Sequence, residues 1–140
     1  MQFEFFIPLR KIPTVTAQEQ GTGVRGGKPY RYDPPELKAA KMLFRDHLAR
    51  FAPPQRLTGP IELQVCWHFA PSDRHPEGTW KTTRPDTDNL IKLLKDEMTK
   101  TGFWIDDAQV CSEWNAKIFG HTSGISIMVR QMPERFRNVR

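Results

Sequence analysis

Cysteine is nearly absent from this chain: Cys66 and Cys111 are the only two among 140 residues. A disulfide framework is therefore excluded, as is a zinc site of paired cysteines, and both thiols read as reduced core or sheet residues. Long apolar runs are missing too, so no segment reads as a membrane span. The first residues, Met1-Gln2-Phe3-Glu4-Phe5-Phe6-Ile7-Pro8, offer neither a basic leader nor a small-residue cleavage site. A cytoplasmic protein without a membrane partner is expected. His47, His68, His75 and His121 are scattered, with no pair at zinc spacing and no Ser-His-Asp set. No glycine loop of the phosphate-cradling kind is present, and no organic cofactor is expected.

Negative charge is the scarcer sign. Aspartate and glutamate total 16 against 21 lysines and arginines, a net charge of +5, with a pI near 9.5. That balance favours a polyanionic partner. At 140 residues, with no internal repeat and no linker, the chain reads as one domain.

Phe3, Phe5 and Ile7 alternate with Gln2, Glu4 and Phe6 up to Pro8, which predicts a short strand. From Lys11 to Lys28 the chain is rich in threonine, glutamine and glycine and shows no period. It reads as a loop, whose Arg10, Lys11, Arg25 and Lys28 either track a phosphate backbone or simply face solvent. Lys28 to Tyr32 predicts a brief strand. Beyond Asp33-Pro34-Pro35-Glu36, which suits a helix start, Leu37, Ala40, Leu43, Phe44, His47, Leu48 and Phe51 recur at helical spacing until Pro53-Pro54. The outer face, with Lys38, Lys41, Arg45 and Arg50, reads as solvated. Gly59-Pro60 opens the clearest strand, with Ile61, Leu63, Val65, Trp67 and Phe69 on one side. A polar loop from Pro71 to Thr83 leads to a second helix ending near Gly102, and two further strands are predicted over Gln109–Phe119 and Ile125–Arg130. This order predicts an α+β domain with a mixed sheet and two main helices over residues 1–132, followed by a basic tail, 133–140.

The stretch Arg84-Pro85-Asp86-Thr87-Asp88-Asn89-Leu90 stands out against the basic background. Carboxylates two residues apart on extended backbone at the mouth of a helix point to one side. Magnesium takes one or two such groups together with waters and phosphate oxygens. Lys92, four residues after Asp88, lies on the same helix face and within reach of the same phosphate. The pair also reads as helix capping, with Asp88 as N-cap and Asp86 as its exposed neighbour. A calcium loop of the EF-hand kind is excluded, because Leu90 follows Asn89 and no glycine stands at the required place. A second pair, Asp106-Asp107, follows Phe103-Trp104, an exposed-looking aromatic pair. The intervening helix is roughly 20 Å long at 1.5 Å per residue. The two acidic groups thus lie at opposite ends unless the chain folds back or a second subunit supplies one. Three classes stay open on these residues: a metal nuclease, a non-catalytic nucleic-acid binding module whose acids are caps, and a scaffold dimer anchored by Phe103-Trp104.

From Arg84 to Val110 the chain resembles, without a gap, the RusA family of Holliday-junction resolvases. The resemblance is carried by Arg84-Pro85-Asp86-Thr87-Asp88-Asn89-Leu90 and by Thr99-Lys100-Thr101-Gly102-Phe103-Trp104-Ile105-Asp106-Asp107-Ala108-Gln109-Val110. It implies a symmetric, intertwined homodimeric endonuclease that uses magnesium, or manganese in its place, to nick four-way junction DNA in recombination and repair. It further implies Asp86, Asp88 and Asp107 as catalytic metal ligands, Asp106 as an accessory carboxylate at the metal and Lys92 as the catalytic lysine, with both subunits needed to complete the metal sites. A bacterial or prophage origin follows from the same resemblance. Arg74, Lys81 and Arg84 are the expected DNA contacts. The N-terminal half departs from the family pattern in its longer, glycine-rich basic loop and in Pro13-Thr14-Val15-Thr16.

Overall fold

Period-two alternation and helical spacing become the main elements of the computed structural model, which describes residues 1–15 and 20–137. In chain order these are strands β1 (Gln2–Pro8), β2 (Gly21–Arg25) and β3 (Lys28–Tyr32), helix α1 (Pro35–Leu48), strand β4 (Ile61–Phe69), helix α2 (Thr87–Thr101), and strands β5 (Val110–Phe119) and β6 (Gly124–Gln131). They form a single α+β domain. Its main sheet runs β1-β6-β4-β5, while β2 and β3 make a separate two-stranded sheet. Strands β4 and β5 are parallel, with α2 in the connection between them, and β6 is antiparallel to both β4 and β1. The mixed sheet is the one expected. Residues 138–140 of the expected tail lie outside the described residues.

The core lies between one face of this sheet and the two helices. Ile61, Leu63, Val65 and Trp67 of β4 are fully buried there, and Phe69 is half-buried. Ile125, Ile127 and Val129 of β6 join them, together with Leu37, Phe44 and Leu48 of α1 and Leu90, Leu93, Leu94 and Met98 of α2. Removing this apolar surface from water is what holds the helices on the sheet. Cys66 and Cys111 are free thiols in β4 and β5. Among the described residues no helix is long and apolar enough to cross a membrane.

The structure corrects several expectations. The segment read as a loop contains β2, which pairs with β3 from Gly21 opposite Tyr32 to Arg25 opposite Lys28, closed by Gly26 and Gly27 at φ of 59° and 76°. Glycine has no side chain to alternate, so a glycine-rich strand shows no period, although Gly-Gly is itself a two-residue turn signal. Helix α1 ends at Leu48 rather than Phe51, and the Phe51 ring stacks on Phe5 at 4.5 Å. Two cations of its outer face are engaged: Lys41 pairs with Asp33 at 2.8 Å, and Arg45 pairs at 3.0 Å with Glu97 of α2, whose side chain is fully buried and is also reached by Lys100 at 3.3 Å. A buried carboxylate is tolerated only with such partners.

Phe103 and Trp104 are not exposed. Both are 0% accessible. Gly102, at φ 96°, ends α2 in a left-handed cap and turns the chain inward. Trp104 then donates from Nε1 to Thr99 Oγ1 at 2.7 Å, and Arg56 donates to the carbonyls of Thr99 at 2.9 Å and Trp104 at 2.6 Å. A buried pair cannot anchor a partner.

Candidate active site

Edge strand β5 turns Glu113, Asn115 and Lys117 toward the helices, in register with Leu63, Val65 and Trp67 of β4. The Asn115 side chain accepts from Trp67 Nε1 at 2.7 Å and donates to the Thr87 carbonyl at 2.8 Å. Lys117 Nζ donates to the carbonyls of Thr83 at 2.7 Å and Pro85 at 2.6 Å. The sheet therefore grips the backbone on both sides of Asp86. Asp86, rather than Asp88, is the N-cap of α2, extended at φ −74° and ψ 148°, and its carboxylate makes no capping hydrogen bond. Capping thus does not account for this acid.

The second acidic pair is built differently. Asp106 caps a single 3-10 turn, Asp107–Gln109: its Oδ1 accepts from Ala108 N at 2.9 Å, and Gln109 Oε1 accepts from Asp106 N at 3.0 Å. Gln109 also accepts from Ile105 N at 2.8 Å and donates from Nε2 to the carbonyls of Leu57 and Gly59, each at 3.0 Å. Every bonding position of that amide is used, which fastens the turn to the segment before β4.

The chain does fold back after α2. Asp107 lines a cavity of about 440 Å³ together with Asp88, Lys92, Lys95, Asp96, Glu113 and Asn115. Asp86 lines a second cavity of about 470 Å³ with Thr14, Arg84, Pro85 and Asn89. Asp106 lines neither. Asp88, Lys92 and Asp96 recur every four residues, so one face of α2 carries all three. Lys95 pairs with Glu113 at 3.0 Å. Burial, and then the charge of Asp107, push the Asp96 carboxyl up. Asp96 and Glu113 are absent from the sequence reading. The four-residue spacing could have found Asp96; only strand register finds Glu113, Asn115 and Lys117.

Oxygen donors without cysteine or histidine suit a hard cation such as magnesium. Among the described residues, no three His, Cys, Asp or Glu side chains stand close enough together to hold one ion. The donor chemistry of two acids fits: Asp88 and Asp107 share one cavity, while Asp86, two residues before Asp88, lines the other.

A family model described as "Endodeoxyribonuclease RusA" matches residues 12–130. The chain belongs to the RusA family. A relative from Lactococcus phage r1t, named crossover junction endodeoxyribonuclease rusA, is 35% identical over 112 residues, covering 79% of this chain and 83% of its own. The protein YqaN of Bacillus subtilis is 25% identical over 131 residues, 86% of this chain and 91% of its own. The crossover junction endodeoxyribonuclease RusA of Escherichia coli K12 is 35% identical over 78 residues, 53% of this chain and 57% of its own.

In this RusA chain the basic residues expected at DNA take different places. Arg84 lines the Asp86 cavity and a further one of about 290 Å³, which it shares with Lys81 and with Arg10 and Lys11 of the N-terminal segment. The Lys81 ammonium lies 4.9 Å and 5.3 Å from the ring centroids of Phe69 and Phe119, where burial, and then the charge of Lys117, lower its pKa. Arg74 lies in the exposed loop before it and lines neither cavity.

The grip of β5 on the RusA acidic motif is testable. Asn115→Ala leaves the Trp67 N–H and the Thr87 carbonyl without their partner and should cost about 2 kcal/mol in urea unfolding. Nicking should fall on the order of ten- to a hundred-fold in kcat, with junction affinity unchanged, because the carboxylates are displaced and the basic surface is not.

Proposed function

We propose that this RusA chain is a crossover junction endodeoxyribonuclease, a hydrolase that cuts phosphodiesters at the branch of four-way DNA in recombination and repair. The observation that carries the reading is the return of Asp107 to the α2 face that presents Asp88 and Lys92, inside a chain that matches the RusA model over most of its length. Asp88 and Asp107, which line one cavity, would hold the magnesium, or manganese in its place, with Asp86 of the other cavity as the third carboxylate of the centre. A divalent cation so held would supply charge to polarise the scissile phosphate and to lower the pKa of an attacking water.

The chain's own residues do the rest. Lys92 places its ammonium on the Asp88 face, where it offsets charge on the phosphate or on the departing oxygen. Asp106, the accessory carboxylate, acts by capping the turn that presents Asp107. Lys117 and Asn115 hold the motif's backbone, as their hydrogen bonds require. Arg84 and Lys81, joined by Arg10 and Lys11, grip flanking phosphates, and Arg74 meets DNA from its exposed loop. The protein works as a homodimer, because two equivalent strands of a nearly two-fold junction call for two equivalent sites. Residues 1–132 are the endonuclease domain and 133–140 its basic tail.

Cleavage of a labelled four-way junction, compared with linear duplex of the same arms, tests the reading. Paired symmetric nicks on the junction alone are expected with magnesium and should vanish with EDTA or in Asp86→Asn, while binding persists. Tight binding without nicking in magnesium or manganese would instead identify a non-catalytic junction-binding module.

A further inference from the structure

The β2–β3 hairpin belongs to neither the main sheet nor the acidic centre. Every residue from Val24 to Tyr32 is exposed. A lone two-stranded hairpin is marginal in water. This one is tied at its base, where the Asp33 carboxylate accepts from Gln20 Nε2 and from Lys41 Nζ of α1, each at 2.8 Å.

Its register puts Gly21, Gly23, Arg25, Lys28, Tyr30 and Tyr32 on one face. The tyrosine rings lie over the two glycines: a Cβ at Gly23 would stand 2.7 Å from Tyr30 Cε1, and one at Gly21 would collide with the Tyr32 ring. Glycine is what allows the rings to lie flat on the strand. The ring centroids are 6.0 Å apart, and the Arg25 guanidinium lies 5.1 Å from the Tyr30 centroid. Both tyrosines are exposed, at 38% and 45%. Arg25, Lys28 and Arg31 supply positive charge, and no acid occurs between Gly21 and Tyr32. Two neighbouring rings, tilted 45° to each other beside cations and with no opposing charge, are complementary to nucleotides whose base faces are free and whose phosphates are near. In an unbroken duplex those faces are taken up by stacking. At the centre of an open four-way junction the last base pair of each arm lacks a stacking neighbour.

We propose that the β2–β3 hairpin is a nucleic-acid arm that stacks the exposed faces of branch-point bases on Tyr30 and Tyr32 and holds their phosphates with Arg25 and Lys28. The inference rests on the junction reading and names the element that engages the branch. It is tested by fluorescence anisotropy in EDTA with a labelled four-way junction and with linear duplex of one arm. Tyr30→Leu/Tyr32→Leu should weaken junction binding at least about ten-fold and leave duplex binding as in wild type. Tyr30→Phe/Tyr32→Phe, which keeps the rings, should retain it. Arg25→Gln/Lys28→Gln should weaken binding and flatten its salt dependence. A leucine variant that binds the junction like wild type, or loses junction and duplex equally, overturns the hairpin assignment even if wild type nicks junctions normally. A wild type that neither binds nor nicks junctions overturns it together with the resolvase reading.

Discussion

Asparagine in place of Asp88 or of Asp107 is expected to lower junction nicking on the order of a thousand-fold, while binding in EDTA and thermal stability persist. Each substitution keeps the shape of the side chain and removes the charge that a hard cation requires. The fold has little at stake in either carboxylate: Asp88 is exposed, and the turn at Asp107 is capped by Asp106. Because both acids line one cavity of one chain, mixing Asp88→Asn protein with Asp107→Asn protein should restore nothing, since neither subunit of the proposed dimer, if mixed, would have an intact pair. Activity regained on mixing would mean that each site draws its acids from two subunits. Unchanged nicking by either single variant would remove that residue from the centre. The assay is gel separation of nicked junction at saturating protein, so that weakened binding cannot pass for lost chemistry.

Trp104→Ala should destabilise the protein by about 3–5 kcal/mol, a large share of a small domain's stability. The side chain is completely buried, and its indole nitrogen bonds Thr99 Oγ1 at 2.7 Å. Trp104→Phe, which keeps most of the volume and loses the hydrogen bond, should cost about 1–2 kcal/mol. Urea unfolding measures both. If Trp104 were instead a partner anchor on the surface, the alanine variant would unfold within about 0.5 kcal/mol of wild type and would lose only a binding partner.

Where side chains alternate or recur at helical spacing, the chain alone foretells its elements. Ile61 to Phe69, Ile125 to Arg130 and the run from Leu37 to Leu48 are legible because their apolar faces have no other means of leaving water. The hairpin is not, since Gly21 and Gly23 contribute no side chains and the pattern resides in the tyrosines opposite. Phe103 and Trp104 mislead for a related reason: next to Asp106 and Asp107 they look like surface, whereas the left-handed Gly102 turns them into the core and leaves the aspartates outside.

The acidic centre divides along the same line. By itself the sequence determined which residue types are available for the chemistry: Asp86, Asp88, Lys92 and Asp107 stand at spacings that name a family, because spacing along the chain is a local property. What the tertiary structure alone decided is that Asp107 returns to the Asp88 face of α2, that Glu113 joins that cavity, and that Asn115, Lys117 and Gln109 hold the backbone beneath. The hydrogen bonds from Asn115 and Lys117, and those from the Gln109 amide to the segment before β4, join residues 28 to 52 positions apart. They depend on strand register and on the chain's turn after α2, which follow from burying one common core and leave no trace in the order of neighbouring residues.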